Sequence, residues 1–296
     1  MIPFPNISPE IFSFSIFGIE LALRWYAISY IAGFICAIFI MKFMVIRVYL
    51  WPNKNPPMNG EQAEAFISYL ILGVIVGGRL GYVLFYNLEY YLTDPISILR
   101  IWDGGMSFHG GFLGVVVAVI FFCLSNKIDL IQGADLVAIA SPPGLLFGRL
   151  ANFINAELWG RPTDLPWGVI FPGDAAQNCP EVEGLCARHP SQIYEAGLEG
   201  LLLFVTLFIL ALSGAFRSRG AITSVFLIGY GGSRFFVEYF RVPDPQFITF
   251  ENQLGFAVKY GQFGLTMGQL LSAPMILIGF FVIASKLLKR KDSVYK

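Results

Sequence analysis

Long apolar runs separated by short polar stretches dominate this chain. Crossing the hydrocarbon core of a bilayer takes about 20 mostly apolar residues in a helix, because a helix satisfies its own backbone donors and acceptors in lipid. Seven such runs occur, at about 21–42, 64–86, 105–124, 131–150, 192–213, 220–240 and 267–288. They predict an all-α integral membrane protein of about seven transmembrane helices, a single membrane-embedded domain over residues 1–296. The fourth run is the weakest, since Asp135 and Pro142-Pro143 interrupt it and a proline removes a backbone donor and kinks a helix. The fifth carries Glu195 and Glu199, so its first turns are expected to face protein or water.

Basic residues orient these spans. Lys286, Lys289, Arg290, Lys291 and Lys296 crowd the C-terminus, Lys42, Arg47 and Lys54 follow the first run, Lys127 the third, and Arg217 and Arg219 the fifth. By the positive-inside rule these segments are cytoplasmic, which an odd number of spans with the N-terminus outside accommodates. The first twenty residues hold no Lys or Arg. They lack the basic start of a signal peptide, and the N-terminus is expected to be mature and translocated. The outer side then receives two long loops, about 153–190 and 241–266, together with Arg79, Arg100, Arg149, Arg161, Arg188, Arg234, Arg241 and Lys259, with Arg24 near the start of the first run. Arginines on the side where orientation rules discourage them, beside long Trp-, Pro- and Gly-bearing loops, point to function.

Composition agrees with the class: 56% of residues are hydrophobic and 14% charged, where a soluble domain is about a quarter charged. The formal net charge is zero, so nothing in the balance recruits nucleic acid. Cys36 and Cys123 fall inside spans and read as small apolar filler. Cys179 and Cys186, in an outer loop, can close a structural disulfide in an oxidising compartment. With only His109 and His189, no C-x-x-C pair and no nucleotide-binding glycine motif, neither a metal nor an organic cofactor is implied.

Candidate chemistry gathers at a few polar positions. A guanidinium near the apolar slab costs roughly 2.5–3.5 kcal/mol on insertion scales, and an anionic lipid headgroup can offset it. Arg149 and Asn152 are spaced i, i+3 and share a helix face, with Glu157 following; the plainer alternative is an arginine capping helix carbonyls. Arg234 and Glu238 are spaced i, i+4, and Arg241 lies seven residues beyond Arg234. An internal ion pair accounts for part of that set, yet two arginines against one glutamate leave positive charge over. Guanidinium forks grip phosphate oxygens in pairs, so a phosphodiester suits them. His109, in a glycine-rich stretch from Gly104 to Gly114, is either a general base or a hydrogen-bonding anchor at a helix end. Tyr26, after Arg24-Trp25, fits an aromatic belt or a hydroxyl reaching inward.

The stretch Gly148-Arg-Leu-Ala-Asn-Phe-Ile-Asn-Ala-Glu-Leu-Trp-Gly-Arg161 resembles the signature of the bacterial prolipoprotein diacylglyceryl transferases. Leu23-Arg-Trp-Tyr26, His109-Gly-Gly, His189-Pro-Ser-Gln-Ile-Tyr-Glu195 and Arg234-Phe-Phe-Val-Glu-Tyr-Phe-Arg241 extend the likeness in the family's order along nearly the whole chain. Ala151 and Ala156 stand where family members often have glycine. The resemblance implies a seven-helix fold in the bacterial cytoplasmic (inner) membrane, with the outer loops forming a periplasmic head, the N-terminus periplasmic and the C-terminus cytoplasmic. It implies transfer of a diacylglyceryl group from phosphatidylglycerol to the lipobox cysteine of a prolipoprotein signal peptide, releasing glycerol phosphate. The family's essential residues fall on Tyr26, His109, Arg149, Asn152, Glu157, Gly160, Arg234 and Glu238. On this view Arg149 and Arg234, with Arg241 beside them, hold the phosphate, and Asn152 and Tyr26 support it. Glu157 and Glu238 orient the guanidinium groups, and His109 is the candidate base. Without the resemblance, a secondary transporter, another phospholipid enzyme (an acyltransferase or a phosphatase) or an intramembrane serine protease using Ser107 would remain open.

Overall fold

A computed structural model describes residues 1–16, 19–179, 182 and 184–294. Two short N-terminal pieces come first: strand β1 (Ile2–Pro3), then an antiparallel hairpin of β2 (Glu10–Ile16) and β3 (Ile19–Arg24). Helix α1 runs Trp25–Ile46, α2 Gly60–Tyr86, and a short α3 Leu88–Thr93 precedes α4, Phe108–Ser125. Then come α5 (Leu130–Ala140), α6 (Pro142–Ile154), β4 (Val169–Ile170), α7 (Asp174–Gln177) and α8 (Ser191–Glu195). A π-helical segment, Ala196–Leu202, joins α8 to α9 (Leu203–Leu212). Helix α10 (Ala221–Val237), the hairpin β5 (Val258–Tyr260) and β6 (Phe263–Leu265), and α11 (Met267–Val294) complete the order.

Among the described residues, six helical stretches are long and apolar enough to cross a membrane: 25–46, 60–86, 108–125, 130–154, 191–212 and 267–286. The chain is a mostly helical integral membrane protein. Ala221–Val237 is apolar but shorter. The first span starts later than its hydropathy predicts, at Trp25 instead of about 21, because the chain up to Arg24 pairs in the hairpin. The fourth is divided at Ser141. Pro142 and Pro143 occupy the first positions of α6, where a missing N–H interrupts no helical hydrogen bond. Of the basic C-terminal residues, Lys296 lies outside the described residues.

The chain separates into two compact units, although its hydropathy alone reads as one domain. One comprises residues 1–36, 141–211 and 221–296. In it, β1 pairs in parallel with β4, and Phe4, Phe153 and Trp159 pack around Val169, Phe171 and Ala176. The loop after α6 is thereby anchored to the chain's first residues. Cys179 and Cys186 are joined by a disulfide in that loop.

The other unit comprises residues 37–140 and 212–220. Helices α2 and α4 meet along glycines: a Cβ on Gly77 would lie 2.4 Å from the Gly110 carbonyl oxygen. Small residues let the two backbones approach this closely in lipid. Asp135, the charge that weakens the fourth run, is fully buried and accepts the Gly220 backbone N–H at 2.6 Å.

Candidate functional site

Within the first unit, three helices bring six charged side chains together. Arg149 comes from α6, Glu195 ends α8, Glu199 lies in the π-helical segment, and Arg234 sits in α10, with Glu238 and Arg241 just beyond its end. Glu195 is the hub. Its Oε2 meets Nε of Arg149 at 2.8 Å, while its Oε1 accepts from Nη1 of Arg234 at 2.9 Å and from Nη1 of Arg241 at 2.6 Å. Glu199 lies 3.8 Å from Nη2 of Arg149. Glu238 pairs with Nη2 of Arg234 at 3.0 Å, approaches Nε of Arg241 at 3.7 Å, and accepts from the Thr266 hydroxyl at 3.1 Å.

Three arginines thus meet three glutamates, and the surplus of positive charge expected from the Arg234–Glu238–Arg241 spacing is not there. The count changes because Glu195 and Glu199 arrive from a different helix. What survives is an asymmetry of exposure. The side chains of Glu195 and Glu199 are 0% exposed and that of Glu238 is 7%, whereas Arg149, Arg234 and Arg241 keep 21%, 19% and 17%. The carboxylates are the buried partners and the arginines the partly exposed ones. A π-helical turn inserts an extra residue into the helical register and is often found at functional sites; here it carries Glu199.

A second polar group sits one turn along α6. The Asn152 side-chain amide donates to the Tyr26 hydroxyl at 2.7 Å and to Glu157 Oε1 at 2.7 Å. Tyr26 and Asn152 do converge, 126 positions apart in sequence. Glu157, expected from sequence to orient a guanidinium, instead accepts from Asn152 and, at 3.5 Å, from Asn155. The turn that carries it has Ala156 and Leu158 on either side at positive φ, 52° and 56°. Left-handed backbone costs a non-glycine residue about 1–2 kcal/mol, so the surroundings must hold this turn. The Ser191 hydroxyl donates to the Leu158 carbonyl at 2.9 Å and the Gln192 amide to the Glu157 carbonyl at 2.5 Å.

Gly160 contributes backbone, and both its polar groups are engaged. Its N–H donates to the His189 carbonyl at 2.8 Å, and its own carbonyl accepts from Arg188 at 3.3 Å. A Cβ there would lie 2.3 Å from the Phe240 carbonyl oxygen, so only glycine lets this loop reach the segment bearing Arg241. Arg188 also donates to the carbonyls of Ala176 and Asn178 and lies 4.0 Å over the Trp159 ring. Burial pushes its pKa down from the ordinary arginine value, and the ring and carbonyls stand in for solvent. His189 accepts or donates at Nδ1 with the Tyr194 hydroxyl at 3.1 Å, and burial lowers its pKa.

A family model for prolipoprotein diacylglyceryl transferases matches residues 13–285. The chain belongs to that family. It is 56% identical, over 95% of its length and 97% of the relative's, to a protein of Cereibacter sphaeroides (strain ATCC 17029 / ATH 2.4.9) named phosphatidylglycerol–prolipoprotein diacylglyceryl transferase. A Ruegeria pomeroyi protein of the same name is 58% identical over 95% of each chain. One from Rhizobium leguminosarum bv. trifolii (strain WSM2304) is 45% identical over 96% of this chain and 93% of the relative. As a family member the chain is a membrane-embedded transferase.

Of the transferase residues expected from sequence, Arg149, Arg234, Arg241 and Glu238 form the ionic cluster, and Tyr26, Asn152 and Glu157 the polar group beside it. His109 belongs to the other unit, exposed in the first turn of α4 with its ring edge-on to Phe108. Ser107 is the N-cap of that helix, its hydroxyl accepting from the Gly110 N–H. Glu195 and Glu199 were absent from the expected set. Two carboxylates four apart inside an apolar run were the available signal, because buried charge there needs partners.

Proposed function

We propose that this transferase moves the diacylglyceryl group of phosphatidylglycerol onto the thiol of the lipobox cysteine in a prolipoprotein signal peptide. A cysteine thiolate attacks the glycerol carbon that bears the phosphate. The carbon–sulfur bond forms, the carbon–oxygen bond breaks, and glycerol phosphate leaves with the electron pair. The thiol proton goes to a base, for which His109 is the candidate on sequence grounds. Free cysteine has a pKa near 8.5, so the attacking sulfur needs that help.

One observation carries this reading: three arginines converge on a single fully buried carboxylate while their own side chains stay 17–21% exposed. An incoming phosphodiester meets cationic forks first, and negative charge that grows on the leaving phosphate falls where donors are already fixed. Removing one such donor typically costs on the order of 100–1000-fold in rate. Arg149, Arg234 and Arg241 are assigned to the phosphate. Tyr26 and Asn152 line its approach, Glu157 fixes Asn152, and Glu195 and Glu238 hold the guanidinium groups in place. A cavity of about 220 Å³ lies between residues 198–206 and α10, lined by Leu198, Leu202, Val225, Ile228 and Ser233. Its apolar lining suits an acyl chain.

Ala221–Val237 serves as a seventh span in this reading, and the 155–190 and 241–266 segments form a periplasmic head. The N-terminus is periplasmic and the basic C-terminus cytoplasmic, in the bacterial inner membrane. The test is direct. Purified protein in phosphatidylglycerol vesicles is given a lipobox peptide, and mass spectrometry follows thioether-linked diacylglyceryl peptide and glycerol phosphate. Vesicles of phosphatidylethanolamine alone serve as the control. Absence of both products with phosphatidylglycerol overturns the assignment.

A further inference from the structure

Arg79 lies in α2, within the second unit, and is only 4% exposed. Its partners are backbone carbonyls. Nε donates to Ile98 at 2.9 Å, Nη1 to Gly104 and, at 3.1 Å, to Gly105, and Nη2 to Ser97 at 2.7 Å and Arg100 at 3.0 Å. A guanidinium has five N–H donors, and five carbonyl oxygens take them. No donor remains for a phosphate, so Arg79 differs in kind from Arg149, Arg234 and Arg241, which pair with carboxylates.

What those carbonyls share is a loop. Residues 97–105 wrap the guanidinium, and the chain then enters α4 at Ser107, whose N–H donates to the Gly78 carbonyl at 2.8 Å. Two consecutive residues of α2, Gly78 and Arg79, therefore fix both the body of the loop and its exit. The loop's own sequence is fitted to this: Gly105 has φ +78°, and a Cβ there would lie 2.6 Å from the Tyr82 ring and 2.9 Å from Arg79 Nη1. Two residues past the exit stands His109, in the first turn of α4.

We propose that Arg79 is a positioning residue for His109, holding the 97–107 loop so that α4 presents the imidazole in one orientation. Lysine cannot replace it, having three donors on a single rotating nitrogen instead of five in a planar fork. The inference rests on the reading of His109 as the base. It gives an arginine on the expected outer side a role that needs no anion.

The experiment is a double-mutant cycle of Arg79→Lys and His109→Gln in the vesicle assay, with kcat and KM for phosphatidylglycerol measured separately and rates normalised to folded protein. Arg79→Lys is expected to lower kcat at least tenfold while KM moves less than threefold. On the His109→Gln background it should cost almost nothing further. A general loss of folding would lower the active fraction equally on both backgrounds, so non-additivity is the informative readout. If Arg79→Lys does not accumulate in membranes, Gly105→Ala disturbs the same cage from the loop side and takes its place in the cycle. A slow His109→Gln enzyme on which the second substitution costs its full factor again overturns the positioning role alone. A His109→Gln enzyme with wild-type kcat overturns the base assignment, and this proposal with it.

Discussion

Replacing Glu195 with glutamine is the sharpest test of the ionic cluster. The shapes match, so the substitution isolates charge and donor pattern. Glutamine's carbonyl oxygen can still accept from Arg234 and Arg241, which both address Oε1 at 2.9 and 2.6 Å. Its NH₂ group must then face Nε of Arg149, 2.8 Å from Oε2 in the native site, and two donors meet. Arg149 is left with Glu199 at 3.8 Å. A unit pair about 4 Å apart is worth about 4 kcal/mol at an effective dielectric of 20, but the desolvation already spent on Glu195 offsets much of that. Breaking a buried ionic set by removing one partner costs about 3–5 kcal/mol in practice, and Glu195 is fully buried. The thermal midpoint in detergent should fall by several degrees. Transfer of diacylglyceryl to a lipobox peptide should fall on the order of 100-fold, because the Arg149 fork loses its aim. Glu195→Asp keeps the charge but withdraws it by one methylene, and should recover stability better than rate. A Glu195→Gln protein with native midpoint and native rate would refute the hub.

Other substitutions probe separate links. Arg149→Lys keeps the charge and loses the fork, so kcat/KM for phosphatidylglycerol should drop by about 100-fold or more; full activity would exclude bidentate holding. Gly160→Ala drives a Cβ to 2.3 Å from the Phe240 carbonyl and should cost about 1–3 kcal/mol, read as lower yield in membranes and faster proteolysis of the 155–190 segment. At Ala156, φ is 52°. Glycine there gains about 1–2 kcal/mol of relieved backbone against about 0.8 kcal/mol for a lost methyl contact and about 0.5–1 kcal/mol of chain entropy, so the midpoint should barely move, whereas Ala156→Val should lower it clearly. Burial holds the His189 pKa below its ordinary 6.5. As pH falls through about 6.5 the unfolded chain takes up a proton before the folded one, so stability declines until the folded value is passed. The midpoint at pH 5 should be lower than at pH 7, by less in His189→Gln.

The spans were legible because uniform apolarity over about 20 residues needs no partner to be recognised. The N-terminal hairpin was also written in the sequence, in the alternation Phe12-Ser-Phe-Ser-Ile16, a period of two that belongs to strands; merging its second strand into the first span hid it. Local spacing gave the Arg234–Glu238 pair, since i, i+4 neighbours meet on any helix. The same rule failed for Glu157. It lies eight residues beyond Arg149 and past the end of α6 at Ile154, and it accepts from Asn152 and Asn155. Glu195 could not be paired at all, because Arg234 and Arg241 are 39 and 46 residues away and no periodicity spans a loop. Summing charge over one helix therefore produced a surplus that the fold removes. A balanced cluster still attracts an anion when the two signs differ in access. Field lines from the guanidinium groups end on the buried carboxylate, while the arginine side chains keep 17–21% of their surface exposed. In the proposed reaction an entering phosphodiester need not displace Glu195, which goes on fixing the forks as the leaving oxygen gains charge. Geometry of that kind lives in exposure, side chain by side chain, and no count of residues along the chain contains it.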